Sequence, residues 1–516
     1  MRNNFFKALA AIVLLVILGF FATTWYSSTK VDEQVTQRTE HINATLRDND
    51  LPAQISTEKK DAGLFSTHYI VSLHIDSGKQ SHVLDFDVVV EHGPLPLTRL
   101  QQGKLTPVQA LSHITLIKNE HTAGLFKLSQ DQTPLQMQLL TDFGGNTNYK
   151  GNLTSLSHND DKGQLHFDGM TFEGTVNEAT TLAKFSGVMP LLQFTLPKDK
   201  DGTGTVLFRD MKISSLYDSR DTSNPVSNQQ SSMAEFSLTN DTVNVQARDY
   251  QNSLSADTKN EQTTISSQTK WNALRINSVD LGSLQYGLSA EKLNPAATKQ
   301  FFDASWQVLL GNIGLGDRDS EHMASLSMTT ALSQMFSGHP DITVGPILWT
   351  LPEGAAKASV KLGLNNPLPL LSKYLDSKVD LLVRTLRSVN IEFDADQAMP
   401  TEAARHLAKL ASGSATGDKD LSADETAKKM TRIINILVDN KLLTQKDGHI
   451  ALTANVSGEK SLLDAKQVEM NGESFEIDKF VQTLQERAAA AEQQISELSD
   501  PEPALEDGSQ DQPEAN

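Results

Sequence analysis

From Leu51 to about residue 290 the sequence alternates apolar and polar residues with a period of two. No other feature of the chain constrains the fold as strongly. In HYIVSLHID, Tyr69, Val71, Leu73 and Ile75 fall on one side, with His68, Ser72, His74 and Asp76 on the other. A strand sends successive side chains to opposite faces, so this pattern predicts antiparallel sheet with one apolar and one polar face. DFDVVVEH repeats it with Phe86, Val88 and Val90 inward. LLQFTLP, TVLFRDM, AEFSLTN and TVNVQARD continue it between turn clusters such as PKDKDGTG. In QLHFDGMTFEGTV the phase slips by one residue at Gly169, after Leu165 and Phe167 and before Met170 and Phe172. That slip predicts a β-bulge. The absence of a strand–helix–strand rhythm argues against a doubly wound parallel fold. The stretches beginning AGLF at 62 and 123 echo each other, each leading into a strand-like run, as a duplicated unit would.

Helical periodicity enters beyond residue 290, in PAATKQFFDASWQVLL, HMASLSMTTALSQMFSG, PTEAARHLAKLAS and ADETAKKMTRIINILVDNKLL. Strands lie among them: ITVGPILWTL, ASVKLGLN, VNIEFDAD and HIALTANVSG. The expected class is α+β, an extended and predominantly antiparallel sheet with several helices in the C-terminal half. The expected divisions are a β-rich region at 27–290, an α+β region at 291–474, a heptad helix at 475–498 and an acidic tail at 499–516. In that helix Ile477, Val481, Leu484, Ala488, Ala491, Ile495 and Leu498 step alternately by four and three. This is a coiled-coil seam, open to self-association or a partner helix, or to packing on its own domain.

Residues 1–26 read as a membrane anchor. Fifteen uncharged residues, Ala8 to Ala22, follow Arg2 and Lys7, and Trp25 and Tyr26 close the run. With Phe5 and Phe6 counted and Lys7 snorkelling, residues 5–24 reach the length of one transmembrane helix. The flanking positive charges keep the N-terminus cytoplasmic. A small-x-small cleavage site is missing, which favours an uncleaved anchor over a signal peptide. A helix from about 29 to 48, with Val31, Val35, Ile42 and Leu46 on one face, is expected to lead away from the bilayer.

The formal charge of −19 argues against nucleic acid as a partner. Part of it is local, since the last 18 residues hold six acids and no base. With no cysteine, thiolate nucleophiles, disulfides and Cys-based metal sites are ruled out. His92 stands at a strand end before Gly93-Pro94 and reads as structural, because no nucleophile elbow accompanies it. His68 and His74 are about 20 Å apart along one strand and cannot share a metal. The pairs Asp85/Asp87, Asp199/Asp201, Asp394/Asp396 and Asp418/Asp420 lack the loop pattern of an EF-hand. ASGSATGDKDLS lacks the GK[ST] of a phosphate loop and reads as a linker. No catalytic, cofactor-binding or metal residue is singled out.

Several landmarks recur in order: the short anchor ending in WY, AGLF with a strand, VVVEHGPLPL, PDITVGPILWTLPEGAAKASVKLGLNNPLPL, and VDNKLLTQKDGHIALTANVSGEKSLLDAKQVEMNGESFEI. On these the chain resembles the YdgA/YihF-type family of Gram-negative envelope proteins. The resemblance implies an inner-membrane anchor with a periplasmic body, and it brings no reaction or catalytic residue. The Asn471-Gly472 pair within it predicts a type I′ hairpin. The expected function is a non-enzymatic binding or scaffold protein of the cell envelope. The alternative is an apolar-ligand (lipid) binding or transfer protein at the inner membrane.

Overall fold

The computed structural model describes residues 53–498 except 64, 77–80, 162, 200–201, 313–317, 367–377 and 413–421, together with 39–40, 43–44 and 46–47. The apolar run at 8–22, the acidic tail and Asp418/Asp420 lie outside the described residues. Among the described residues no helix is long and apolar enough to cross a membrane.

The first strands are β1 (Ala53–Ala62), β2 (Ser66–Asp76), β3 (Ser81–His92), β4 (Ala110–Leu116), β5 (Leu135–Thr141), β6 (Thr147–Leu153), β7 (Leu156–Asp160), β8 (Gly163–Phe167) and β9 (Met170–Val176). Longer ones follow: β10 (Leu182–Asp199), β11 (Gly202–Asp218), β12 (Val226–Thr239), β13 (Asn244–Lys259) and β14 (Gln262–Trp271). Then come β15 (Ala273–Ile276), β16 (Val279–Asp280), β17 (Ser283–Leu293), β18 (Asp341–Leu351), β19 (Gly354–Leu364) and β20 (Leu386–Asp396). The last are β21 (Thr444–Lys446), β22 (His449–Ser457), β23 (Gln467–Met470) and β24 (Glu473–Glu476). All belong to one 24-stranded sheet. Its pairings are antiparallel, as the alternation predicts. β17 pairs with β18 across the intervening helices, so the sheet runs on without interruption past residue 290.

Directly paired residues share a face. One row runs from Thr67 through Val90, Ser112, Leu139, Tyr149, Gly174 and Phe185 to Ser215. It continues through Gln229, Leu254, Ser267, Leu288, Val344, Val360, Ile391 and Ala454 to Met470. This is the apolar face. Over β1–β10 it closes on itself in one contiguous core that includes Leu73, Val90, Leu139, Tyr149 and Phe172. Leu46 and Phe126 enter the same core, Leu46 from the helical residues 46–47 and Phe126 from α1 below. Each such side chain removed from water contributes about 1.5–3 kcal/mol. Asn43, also helical, is tied to the sheet edge, its amide donating to the Ile55 carbonyl at 2.8 Å and its Oδ1 accepting from the Ile55 N–H at 2.7 Å.

The phase slip at Gly169 is real but is not a bulge. β8 and β9 hold the same register against β10, with Phe167 opposite Leu192 and Thr171 opposite Val188. No extra residue is present. The apolar set changes parity in the neighbouring strands too, from Phe185 and Met189 to Leu192 and Phe194 in β10. Gly169, Asp210 and Asp249 have φ of 91°, 51° and 50°. Gly169 precedes β9, Asp210 lies in β11 and Asp249 in β13, so these left-handed residues fall along one line in alternate strands, and the pairing register is kept across them. The sheet thus carries a crease.

The AGLF echo does not survive as a repeat. Ala62 ends β1, and a turn with Gly63 N–H donating to the Ser66 carbonyl leads into β2. The second copy forms a short helix, α1 (Ala123–Leu128), because the Asn119 side chain accepts from the His121 and Thr122 N–H groups and starts a helical turn.

The later helices cover parts of the apolar face. The pair α2 (Pro295–Asn312) and α3 (Arg318–Met335) packs Ala297, Phe301 and Met335 against Leu293, Ile265 and Ala290. After α4 (Lys378–Thr385), α5 (Met399–Ser412) sets Met399 and Ala403 on Leu351, Trp349 and Ala356. α6 (Ala423–Asp439), begun by a Ser422/Glu425 capping box, sets Met430, Ile434 and Val438 on Ala395, Phe393 and Ile450. At the far end Asn471 and Gly472 take φ of 54° and 79° between the paired Met470 and Glu473, the predicted type I′ turn.

Candidate functional site: the two faces of the sheet

Between the self-closed N-terminal core and α5–α6 the apolar face of β11–β18 is left partly uncovered. Tyr217, Leu254, Tyr286, Leu288, Val344 and Ile347 are all exposed on it, Leu288 most at 52%. Their alignment follows from the register: Leu254, Ser267, Leu288 and Val344 pair in sequence, and Ile347 lies opposite Ala358 one row away. The extra residue that β18 carries between Val344 and Ile347 holds both on the same face. Leu288 and Val344 are directly paired in this exposed row, and Ser267 separates them from Leu254.

The opposite face is mixed, with Leu111, Leu140 and Leu216 set among amides, hydroxyls and charged groups. A trough of about 1030 Å³ crosses β5, β6 and β9–β13 there. Two adjacent rows form its floor. Asn148, Thr175, Lys184, Leu216, Asn228 and Ser255 make one, and Lys150, Glu173, Ser186, Ser214, Gln230 and Ser253 the other. Arg99, Gln102 and Lys104, from the short helix Leu97–Gln101 and the loop after it, overhang one end. Beneath the floor Tyr149 is buried among apolar neighbours, which pushes its phenol up to about 12. It donates to the Lys184 carbonyl at 3.1 Å.

The residues weighed from sequence fall elsewhere. His92 ends β3, and its Nε2 lies 2.7 Å from the Thr67 hydroxyl. The turn after it is held by Glu91, which accepts from the Thr98 N–H at 3.0 Å. His68 pairs with Asp87, while His74 Nε2 lies 3.1 Å from the Ser56 hydroxyl, so the two histidines serve different cross-strand contacts. Asp85 accepts from Ser72 at 2.6 Å and from Asn119 at 2.8 Å. Asp394 lies 3.2 Å from His449 Nδ1, and Asp396 accepts from the Ala355 N–H at 2.7 Å. Asp199 ends β10 opposite Gly202. Asp201 lies outside the described residues.

The heptad helix is α7 (Ile477–Glu497), and Phe475 and Glu476 belong to β24 instead. It lies along α6, with Ala491 buried and Asn440 Nδ2 donating to Gln494 at 3.2 Å. Part of the seam is therefore satisfied within the chain. Ile477, Leu484, Ile495 and Leu498 are half-buried, and Val481 is 50% exposed.

One cluster escaped the sequence reading. The ligand atoms of Glu353, Glu402 and His406 lie within 4.8 Å of one another, brought together by the β18–β19 turn and α5. The i, i+4 spacing of Glu402 and His406 was its only sequence signal. Arg405 engages both oxygens of Glu402 and donates to Asp424 at 3.0 Å, so this carboxylate is already committed to an ion pair. The trough had no signal in any single strand, because its cations come from separate elements.

Comparison with known proteins places this architecture in a family. Protein YdgA of Escherichia coli (strain K12) is 23% identical over 503 residues, spanning 92% of this chain and 96% of that protein. An uncharacterized protein of the same organism, YihF, is 22% identical over 461 residues, 83% of this chain and 92% of its own. An uncharacterized protein of Haemophilus influenzae (strain ATCC 51907 / DSM 11121 / KW20 / Rd) is 22% identical over 166 residues. Residues 6–478 match the family described as bacterial protein of unknown function, DUF945, and the chain belongs to that family.

Proposed function

We propose that this chain is a non-enzymatic binding protein of the cell envelope whose open sheet face holds the acyl chains of a lipid at the inner membrane. In this reading residues 5–24 are a single-pass anchor, the N-terminus is cytoplasmic and the sheet is periplasmic. The observation that carries it is the exposed apolar row on β13–β18, with Leu254, Leu288 and Val344 in register and Tyr286 and Ile347 beside them. Burying a leucine or valine fully is worth about 1.5–3 kcal/mol, so covering six half-exposed side chains offers roughly 5 kcal/mol before the losses of association. A sheet that packed its apolar face wholly inward would have offered nothing.

The test is photocrosslinking of the detergent-purified chain with a diazirine fatty acid, followed by peptide mapping. Label is expected in 283–293 and 341–351, and L288D/V344D should abolish it with the circular dichroism spectrum unchanged. Equal labelling of variant and parent, or label spread over the molecule, would refute the reading. A scaffold role through α7 rests on the exposed Val481. Light scattering on the V481D variant tests it, since a self-associating seam would dissociate.

A further inference from the structure

The trough on the opposite face is independent of the acyl-binding reading, and its lining mixes Leu111, Leu140 and Leu216 with charged and polar side chains. Four cationic side chains, Arg99, Lys104, Lys150 and Lys184, meet one carboxylate there, Glu173, in a chain whose formal charge is −19. Lys150 and Glu173 are directly paired across β6 and β9, yet they make no ion pair with each other. Lys104 and Lys150 make no ion pair with any described residue, and Lys184 acts on the Asp218 carboxylate only through space, without an ion-pair contact. Arg99 spends one nitrogen on the Thr106 carbonyl at 3.1 Å, and its Nε is buried without a partner. Cations gathered in an acidic protein with so little of their charge answered by direct ion pairs are set for an anion.

The rest of the floor says what kind of anion. Asn148, Asn228, Gln230, Ser186, Ser214 and Ser253 present amides and hydroxyls, which both donate and accept. These match the hydroxyls of a sugar. The aromatic residues among those lining the trough are Tyr149 and Phe185, and both pack their rings into the core on the other side. Stacking of bases or of neutral sugars therefore has no platform. The trough crosses seven strands, about 29 Å at ~4.8 Å per strand, which suits a chain and not a compact molecule.

We infer that this trough binds an extended acidic glycan, a sugar chain bearing carboxylate or phosphate groups. Lys150 and Lys184 contact its anionic groups, and the Asn, Gln and Ser rows take its hydroxyls.

The experiment is calorimetric titration of the detergent-purified full chain with four probes. These are hexagalacturonate, a phosphorylated pentamannose, neutral maltohexaose and single-stranded oligothymidylate of matched charge. Binding of the carboxylated or the phosphorylated glycan is expected, at least tenfold tighter than maltohexaose and weakening as salt rises. Which of the two binds better identifies the acidic group. K150Q/K184Q should lose at least tenfold, and E173Q should gain severalfold. All three side chains are exposed, so neither variant threatens the fold. L288D/V344D should bind the glycan normally, which keeps this result separate from the acyl-binding test. Absence of glycan binding would overturn the inference. So would equal affinity for maltohexaose or oligothymidylate, or unchanged binding by both trough variants.

Discussion

Replacing Gly174 by alanine probes the joint between the core and the trough floor. A Cβ built there would lie 2.1 Å from the Lys184 carbonyl oxygen, 2.3 Å from the Tyr149 hydroxyl and 2.4 Å from its ring. The carbonyl is backbone of the paired strand β10 and cannot swing aside. β9 and β10 must therefore separate locally, and Tyr149 must also shift, which strains its bond to Lys184. Overpacking of this kind costs about 1–3 kcal/mol, and a lost hydrogen bond about 1 more, so Gly174→Ala should cost about 2–4 kcal/mol. The assay is urea unfolding followed by far-ultraviolet circular dichroism, compared at equal m-value. Tyr149→Phe alone should cost about 1 kcal/mol. The double variant should be less destabilised than the sum of the singles by at least ~0.5 kcal/mol, since removing the hydroxyl removes one of the clashes. A loss below about 0.5 kcal/mol for Gly174→Ala would refute the argument, because it would mean that β9 and β10 are not held at this separation.

Asp341 is the centre of an ion-pair cluster, 2.7 Å from Lys292 and 3.0 Å from Arg387. Burial raises its carboxyl, but the Lys292 hydrogen bond and the nearby positive charges outweigh that and hold it below the usual range. Its stabilisation is thus complete above the unfolded value of about 3.9 and lost as pH falls through the lower folded value. Asp341→Asn should cost about 1–3 kcal/mol at pH 7, a deficit that shrinks toward pH 2 in urea titrations. Gly472→Ala meets no atom within 4 Å, so its cost is that of placing alanine at φ 79°, about 1 kcal/mol by the same titration. Asn43→Ala removes both bonds to Ile55, and hydrogen exchange in 53–62 should quicken while that in β4–β6 stays unchanged.

Strand positions were the most legible part of this chain, because a sheet solvated on one side imposes strict alternation. Tyr69, Val71, Leu73 and Ile75 are all buried, as their spacing requires. The hairpin at Asn471-Gly472 was equally plain, since few residue pairs accept two positive φ values. The crease was half visible. Gly169 betrayed one strand, but Asp210 and Asp249 take the same turn with side chains that carry no such signal. The AGLF echo misled because four residues do not decide between turn and helix; Asn119, outside the motif, does. Both candidate faces escaped for one reason. Lys150 and Lys184, or Leu254 and Leu288, meet only through register, and register is a property of pairs of strands.

From β1 to β6, from β9 to β14 and from β17 to β20, each strand lies beside the one made before it, apart from small excursions. Spatial order therefore follows the order of synthesis. Such a sheet can be laid down like a zip, each new strand finding a finished edge, by a short loop from β9 to β14 and by a longer closure where helices intervene before β18 and β20. It also fails like one: stability is carried by neighbour contacts, so a break at β13 would strand a folded N-terminal piece beside an unfolded remainder. The exposed edge advances along the chain during assembly, and every strand is briefly the outermost one. A growing sheet with one apolar side is most exposed to aggregation at that moment.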